Sequence, residues 1–86
     1  MERMKVGEVF HFYPKISVAA IRLTDGSLGL GDTVQIQGPT TNLEQKVEAL
    51  QIEHADVRRA EKGQEVGIKV RDRVREKDFV YKLVQP

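Results

Sequence analysis

The sequence predicts an all-β domain, six short strands closed into an antiparallel β-barrel. Three observations lead there. Short apolar stretches alternate with Gly, Pro and polar turns along all 86 residues. Most stretches are apolar on one parity only, as antiparallel strands over a core should be, and no long helical pattern supplies βαβ crossovers. A closed barrel also leaves no unpaired edge and lets a small chain cover its core.

The elements follow in order. Residues 5–13 (KVGEVFHFY) form a strand with Phe10 and Phe12 on one side and Val9, His11 and Tyr13 on the other; Pro14, which lacks a ladder donor, ends it. Residues 16–24 place Ile16, Val18 and Ala20 in phase, while Leu23 sits on the opposite parity, which predicts a bulge near Ile21–Arg22. Asp25-Gly26 marks a turn, and Thr33–Gln37 is a strand with Val34 and Ile36 alternating. Gly38–Asn42 reads as a loop. Residues 44–53 fit a bulged strand or, by the spacing of Val47, Leu50 and Ala49, a helix; neighbouring strands favour the strand. Asp56 can cap one helical turn over Val57–Ala60, ended by Lys62-Gly63. Residues 64–70 and 79–84 close the series, with Val66, Ile68 and Val70 and then Phe79, Tyr81 and Leu83 at period two.

Composition narrows the function. The length suits one domain spanning residues 1–86. Without cysteine there is no thiol catalysis, disulfide or thiolate metal site. His11 and His54 have no ligand spacing, so no metal or other cofactor is expected, and no carboxylate pair or triad stands out as catalytic. The N-terminal Met-Glu-Arg-Met-Lys has no signal-peptide character and no apolar run is long enough to span a membrane, so the expectation is a cytoplasmic, non-membrane protein that is not an enzyme. Fourteen basic against thirteen acidic residues leave a net charge of +1, so only a local patch could address nucleic acid.

Such a patch exists in the sequence. Lys69, Arg71, Arg73, Arg75 and Lys77 recur at every second position, and on an extended backbone they project from one side about 6.6 Å apart. Arg58, Arg59 and Lys62 add to the field if they lie nearby. A phosphate backbone or an acidic protein surface is the matching partner; a solvated loop balanced by Asp72, Glu76 and Asp78 is the plainer alternative. Of the aromatics, Phe10, Phe12, Phe79 and Tyr81 are assigned to the core, and Tyr13, at a strand end before proline, to an exposed base-stacking position.

The stretch from Val18 to Val34, with Gly26-Ser-Leu-Gly-Leu-Gly31-Asp32 at its heart, resembles the opening of the second domain of translational GTPases, the β-barrel shared by elongation factor Tu, the selenocysteine-specific factor and bacterial initiation factor two. Val47-Glu-Ala-Leu50, Ala60-Glu-Lys-Gly63 through Ile68, and Val74-Arg-Glu-Lys-Asp78-Phe-Val80 are similar to later blocks of that domain, so the resemblance covers nearly the whole chain. It implies a six-stranded antiparallel Greek-key β-barrel and a non-catalytic binding module for RNA or ribonucleoprotein, for which the residue pattern offers Lys69, Arg71, Arg73, Arg75 and Tyr13 as contacts, with Glu48 matching a family glutamate at the acceptor end of tRNA. Where the family strand usually carries Thr-Gly, this chain has Ala20-Ile21. No Gly-x-x-x-x-Gly-Lys-Ser/Thr loop is present, so neither GTP binding nor GTP hydrolysis is expected, and the barrel acts without a GTPase domain of its own. The alternative is a protein-interaction adaptor that docks on a GTPase-like or peptidase-like partner.

Overall fold

A computed structural model describes residues 2–84. Ten strands follow one another: β1 (Glu2–Tyr13), β2 (Val18–Leu23), β3 (Leu28–Gly29), β4 (Thr33–Gly38), β5 (Thr41–Lys46), β6 (Leu50–Ile52), β7 (Ala55–Asp56), β8 (Arg59–Ala60), β9 (Glu65–Lys69) and β10 (Phe79–Val84). Six of them, β1, β2, β4, β5, β9 and β10, have five residues or more and form the body of the barrel. The main sheet runs β5-β4-β10-β1-β2-β9-β6-β7, antiparallel throughout, and β3 pairs with β8 apart from it. Among the described residues no helix occurs, hence none long and apolar enough to cross a membrane.

β1 is long enough to serve two neighbours. Its first half pairs with β10 from Glu2↔Val84 to Glu8↔Phe79, and its second half with β2 from Gly7↔Leu23 to Tyr13↔Val18. Each ladder slips once, between Lys5 and Gly7 and between Val9 and His11. Such bulges add bend and twist to a strand, which a small barrel needs. The bulge expected at Ile21–Arg22 therefore lies across the ladder, at Phe10 on the partner strand.

Closure comes from two sources. β5 runs by a short connection into β6, which returns to β9 through Leu50↔Ile68 and Gln51↔Gly67. Across the seam between β5 and β9, the buried Gln45 side chain donates to the Lys69 carbonyl at 2.8 Å and accepts from the Arg71 N–H at 2.8 Å. The Gly31-Asp32 turn forms as its sequence suggests: Asp32 Oδ2 accepts the Gly29 N–H at 2.8 Å, and Gly31 takes a left-handed φ of 88°.

The core is wholly aliphatic. Val6, Val9, Ile21, Leu23, Ile36, Leu50, Ile68 and Val80 are among its buried members, and Phe12 only packs against its margin. This corrects the assignment of Phe10, Phe12, Phe79 and Tyr81 to the core. In β2 the inward parity is Ala19, Ile21 and Leu23, so Val18 and Ala20 face outward and Ile16 lies in the turn, 59% exposed. In β10 the inward residue is Val80, while Phe79 is 43% exposed and Tyr81 half-buried. Three rings lie on the outer surface, each covered by a cation. The Arg3 guanidinium sits 4.2 Å from the Tyr81 ring centre, Lys5 4.6 Å from Phe79 and Arg22 5.0 Å from Phe10.

The helical turn expected at 57–60 is also absent. Arg59–Ala60 instead pairs with Leu28–Gly29, which buries Ala60 and extends the ladder by Leu30 N–H to the Arg58 carbonyl. The strand reading of 44–53 holds, divided into β5 and β6 by residues 47–49.

Candidate functional site

The basic run does not continue β9. After Lys69 the backbone leaves the sheet, and residues 70–78 form an irregular connection to β10. Val70, Val74 and Asp78 are buried and anchor it, leaving Arg71, Arg73, Arg75 and Lys77 exposed between them. Its last turn is tied by Asp78, whose Oδ2 accepts the Arg75 N–H at 2.8 Å, and Lys77 takes a φ of 74°. Gly38 makes room for that carboxylate: a Cβ there would collide with Asp78.

Lys69, Arg71, Arg73 and Arg75 divide between two surface depressions, and Lys77 lines neither. Lys69 and Arg71 lie with Ser17, Gln45, Glu48 and Ala49. There Arg71 donates to Glu48 Oε1 at 2.8 Å, so two of the residues singled out by the sequence neutralise one another. Both side chains are about two-thirds exposed, and such a pair contributes at most about 1 kcal/mol. Arg73 and Arg75 lie in the second depression with Thr40, Thr41, Asn42 and Asp72. Neither forms an ion pair among the described residues.

Tyr13 stands elsewhere. It lines a groove of about 240 Å³ with Phe10, Ile16, Val18, Ala20 and Val66 on its apolar side and Gln51, Glu53, His54 and Glu65 on the other. Sequence reasoning put Ile16, Val18 and Ala20 on one face without saying whether it points inward or outward, so this groove was missed. The available signal was Leu23 on the opposite parity, which marks an apolar stripe pointing outward.

Among the described residues no group of three or more His, Asp or Glu side chains could hold a metal ion. The nearest approach of a histidine to a carboxylate in an ion pair is His11 to Glu76 at 3.8 Å, on the open surface.

Comparison with known proteins now fixes the family. The model of the elongation factor Tu domain 2 family matches residues 17–77. The chain belongs to the elongation factor Tu domain 2 family. Within curated proteins, an uncharacterized protease of Methanocaldococcus jannaschii is 46% identical over 82 residues, covering 94% of this chain and 20% of that protein. A collagenase of Porphyromonas gingivalis is 35% identical over 83 residues, covering 95% of this chain and 20% of its own length. The chain thus spans about one fifth of these relatives. Among solved structures, the C-terminal domain of a Geobacillus thermoleovorans protein assigned to the U32 peptidases superposes with a TM-score of 0.85 at 23% identity, over 93% of this chain and 92% of that one. At that identity the match establishes the shared fold.

Proposed function

We propose that the barrel is a non-catalytic protein-interaction module that serves a peptidase-type catalytic region. One observation carries this reading: proteins named protease and collagenase contain a segment like nearly all of this chain, yet that segment is only about one fifth of each. A unit used in that way supplies rigid surface rather than chemistry. The physical properties agree. The core is filled by aliphatic side chains, and the exposed ionic groups pair singly along the surface instead of converging in a cleft.

The experiment is affinity purification on the folded barrel from native lysate, with and without RNase, followed by mass spectrometry. RNase-resistant recovery of a peptidase-type polypeptide is the expected result. Recovery that disappears with RNase would overturn the reading. It would favour the phosphate-binding alternative, for which the unpaired Arg73 and Arg75, beside the hydroxyls of Thr40 and Thr41, are the contacts best disposed. In that alternative Lys69 and Arg71 are secondary, Glu48 is occupied by Arg71, and Tyr13 lines neither of the cation-lined depressions.

A further inference from the structure

The groove beside Tyr13 has the features of a built recognition site. Its floor is the cross-strand pair Ala20↔Gly67, the smallest residues of β2 and β9 on the outward face. A Cβ on Gly67 would come within 3.2 Å of Val18 Cγ1, so the floor is as low as the packing allows. One wall is Phe10, Tyr13, Ile16 and Val18; Tyr13 and Ile16 are 46% and 59% exposed. The facing wall exists because β6 pairs with β9 only as far as Gln51↔Gly67 and then departs into the β6–β7 turn, which carries Glu53 and His54.

Backbone strain gathers at the rims. Four non-glycine residues have positive φ in the described chain, and three of them, Ser17 (54°), Glu53 (51°) and His54 (66°), flank this groove. Glu53-His54 forms the two-residue link between Ile52 and Ala55, a position that favours Asn-Gly because both residues must be left-handed. Placing Glu and His there sacrifices backbone ease for side chains at the groove mouth.

Charge selects the occupant. The lining holds two carboxylates, Glu53 and Glu65, and no lysine or arginine. Glu65 is bound by Arg22 at 3.0 Å, whereas Glu53 has no ionic partner among the described residues. Arg22, over the Phe10 ring, and Lys69, opposite Val18, border the groove, so the unpaired ionic charge among its lining side chains is that of Glu53, which matches a cation beside an apolar group. A volume of about 240 Å³ takes one large side chain rather than an extended surface.

We propose that this groove docks a peptide segment of a partner protein in which a bulky apolar side chain is flanked by lysine or arginine. The proposal rests on the protein-interaction reading above and names its surface and ligand chemistry. The apolar side chain lies over Ala20 and Gly67 between Tyr13 and His54, and the flanking cation meets Glu53.

The test uses the ¹⁵N-labelled protein and three capped pentapeptides, Gly-Lys-Phe-Lys-Gly, Gly-Lys-Ala-Lys-Gly and Gly-Glu-Phe-Glu-Gly, followed by amide chemical shifts. The first should give saturable shifts confined to Ala20, Gly67, His54 and their neighbours, with a Kd at or below about 1 mM. Replacing its Phe by Ala should weaken binding at least about tenfold, the worth of one buried large apolar side chain. Exchanging Lys for Glu should weaken it about two- to fivefold or more, and about 0.5 M salt should shrink that difference. Ile16→Ser should weaken every peptide, and Glu53→Gln should remove the preference for Lys; both residues are exposed, so folding is retained. No saturable shift at about 2 mM peptide, equal binding of the Glu form, or shifts centred on another face would each overturn the proposal. If the peptides fail while a peptidase-type protein is still captured from RNase-treated lysate, the groove assignment falls and the interaction reading stands. If Gly-Lys-Phe-Lys-Gly binds the groove but lysate capture requires RNA, the site stands and its use with a peptidase falls.

Discussion

Gln45 offers the sharpest test of how this barrel closes. It is a polar side chain only 5% exposed on the edge strand β5, and it reaches across the seam to the end of β9. Gln45→Met keeps much of the length and volume while removing the donor to the Lys69 carbonyl and the acceptor for the Arg71 N–H, both at 2.8 Å. Two backbone groups are then left in a part-buried seam without a protein partner. An unsatisfied buried group costs about 1–3 kcal/mol, and partial access of water lowers the sum, so the expected loss is about 2–4 kcal/mol. In a domain of this size that corresponds to a fall in Tm of about 10–25 °C.

Thermal and urea unfolding followed by far-ultraviolet circular dichroism measure the loss, and native-state hydrogen exchange locates it. The Arg71 amide should lose protection first, while Ala19 and Ile21 in β2 exchange only with global unfolding. Glu48→Gln is the control: it breaks the neighbouring surface pair with Arg71 and should cost no more than about 1 kcal/mol. A Gln45→Met loss below about 0.5 kcal/mol with an unchanged Arg71 amide would refute the reasoning, because Gln45 would then fill the seam without fastening it.

Three further outcomes are expected. Gly38→Ala should destabilise by about 3 kcal/mol or more in the same unfolding assay, since the new Cβ meets the Asp78 carboxylate, which is buried and held by the Arg75 N–H. Replacing Glu53-His54 by Asn-Gly should raise stability by about 1 kcal/mol through relief of left-handed strain, and a chain no more stable than the parent would remove the strain argument. Single-stranded RNA should not be retained at about 50 mM salt; retention with a log–log salt slope near −2, lost on charge reversal of Arg73 and Arg75, would instead support phosphate contacts by about three cations.

The parts of the fold legible in the sequence are those set by local chemistry. Pro14 ends β1, Gly31-Asp32 makes its turn with the Asp32 carboxylate on a backbone amide, and Val66, Ile68 and Val70 point inward at period two. What was not legible depends on partners distant in sequence. The slip at Phe10 is a property of the β1–β2 register, and neither strand shows it alone. Ala60 reads as the end of a helical turn until Leu28 is known to lie opposite. The Gln45 clasp is invisible because a lone glutamine in a polar strand has no pattern. The Glu53-His54 turn lacks the Asn or Gly that would announce it.

The candidate site follows the same division. The cations from Lys69 to Lys77 all lie at the surface, but not through alternation, since Asp72 and Glu76 between them are exposed as well, and the pattern said nothing of Glu48 opposite Arg71. The groove was hidden because alternation groups apolar residues on one face without saying which way that face points. In β2 both parities are apolar: Ala19, Ile21 and Leu23 fill the barrel, and Val18 and Ala20 are surplus to it. A barrel this small has a fixed internal volume, already occupied by aliphatic side chains from five of its six long strands, β5 adding only the half-buried Leu43. Apolar residues beyond that volume must lie outside. Scattered singly they would mean little, but Val18 and Ala20 adjoin Ile16, Tyr13 and Phe10 at one concave place, opposite a strained acidic turn. The second apolar parity of β2 is thus the trace, in the sequence itself, of a surface shaped to be covered.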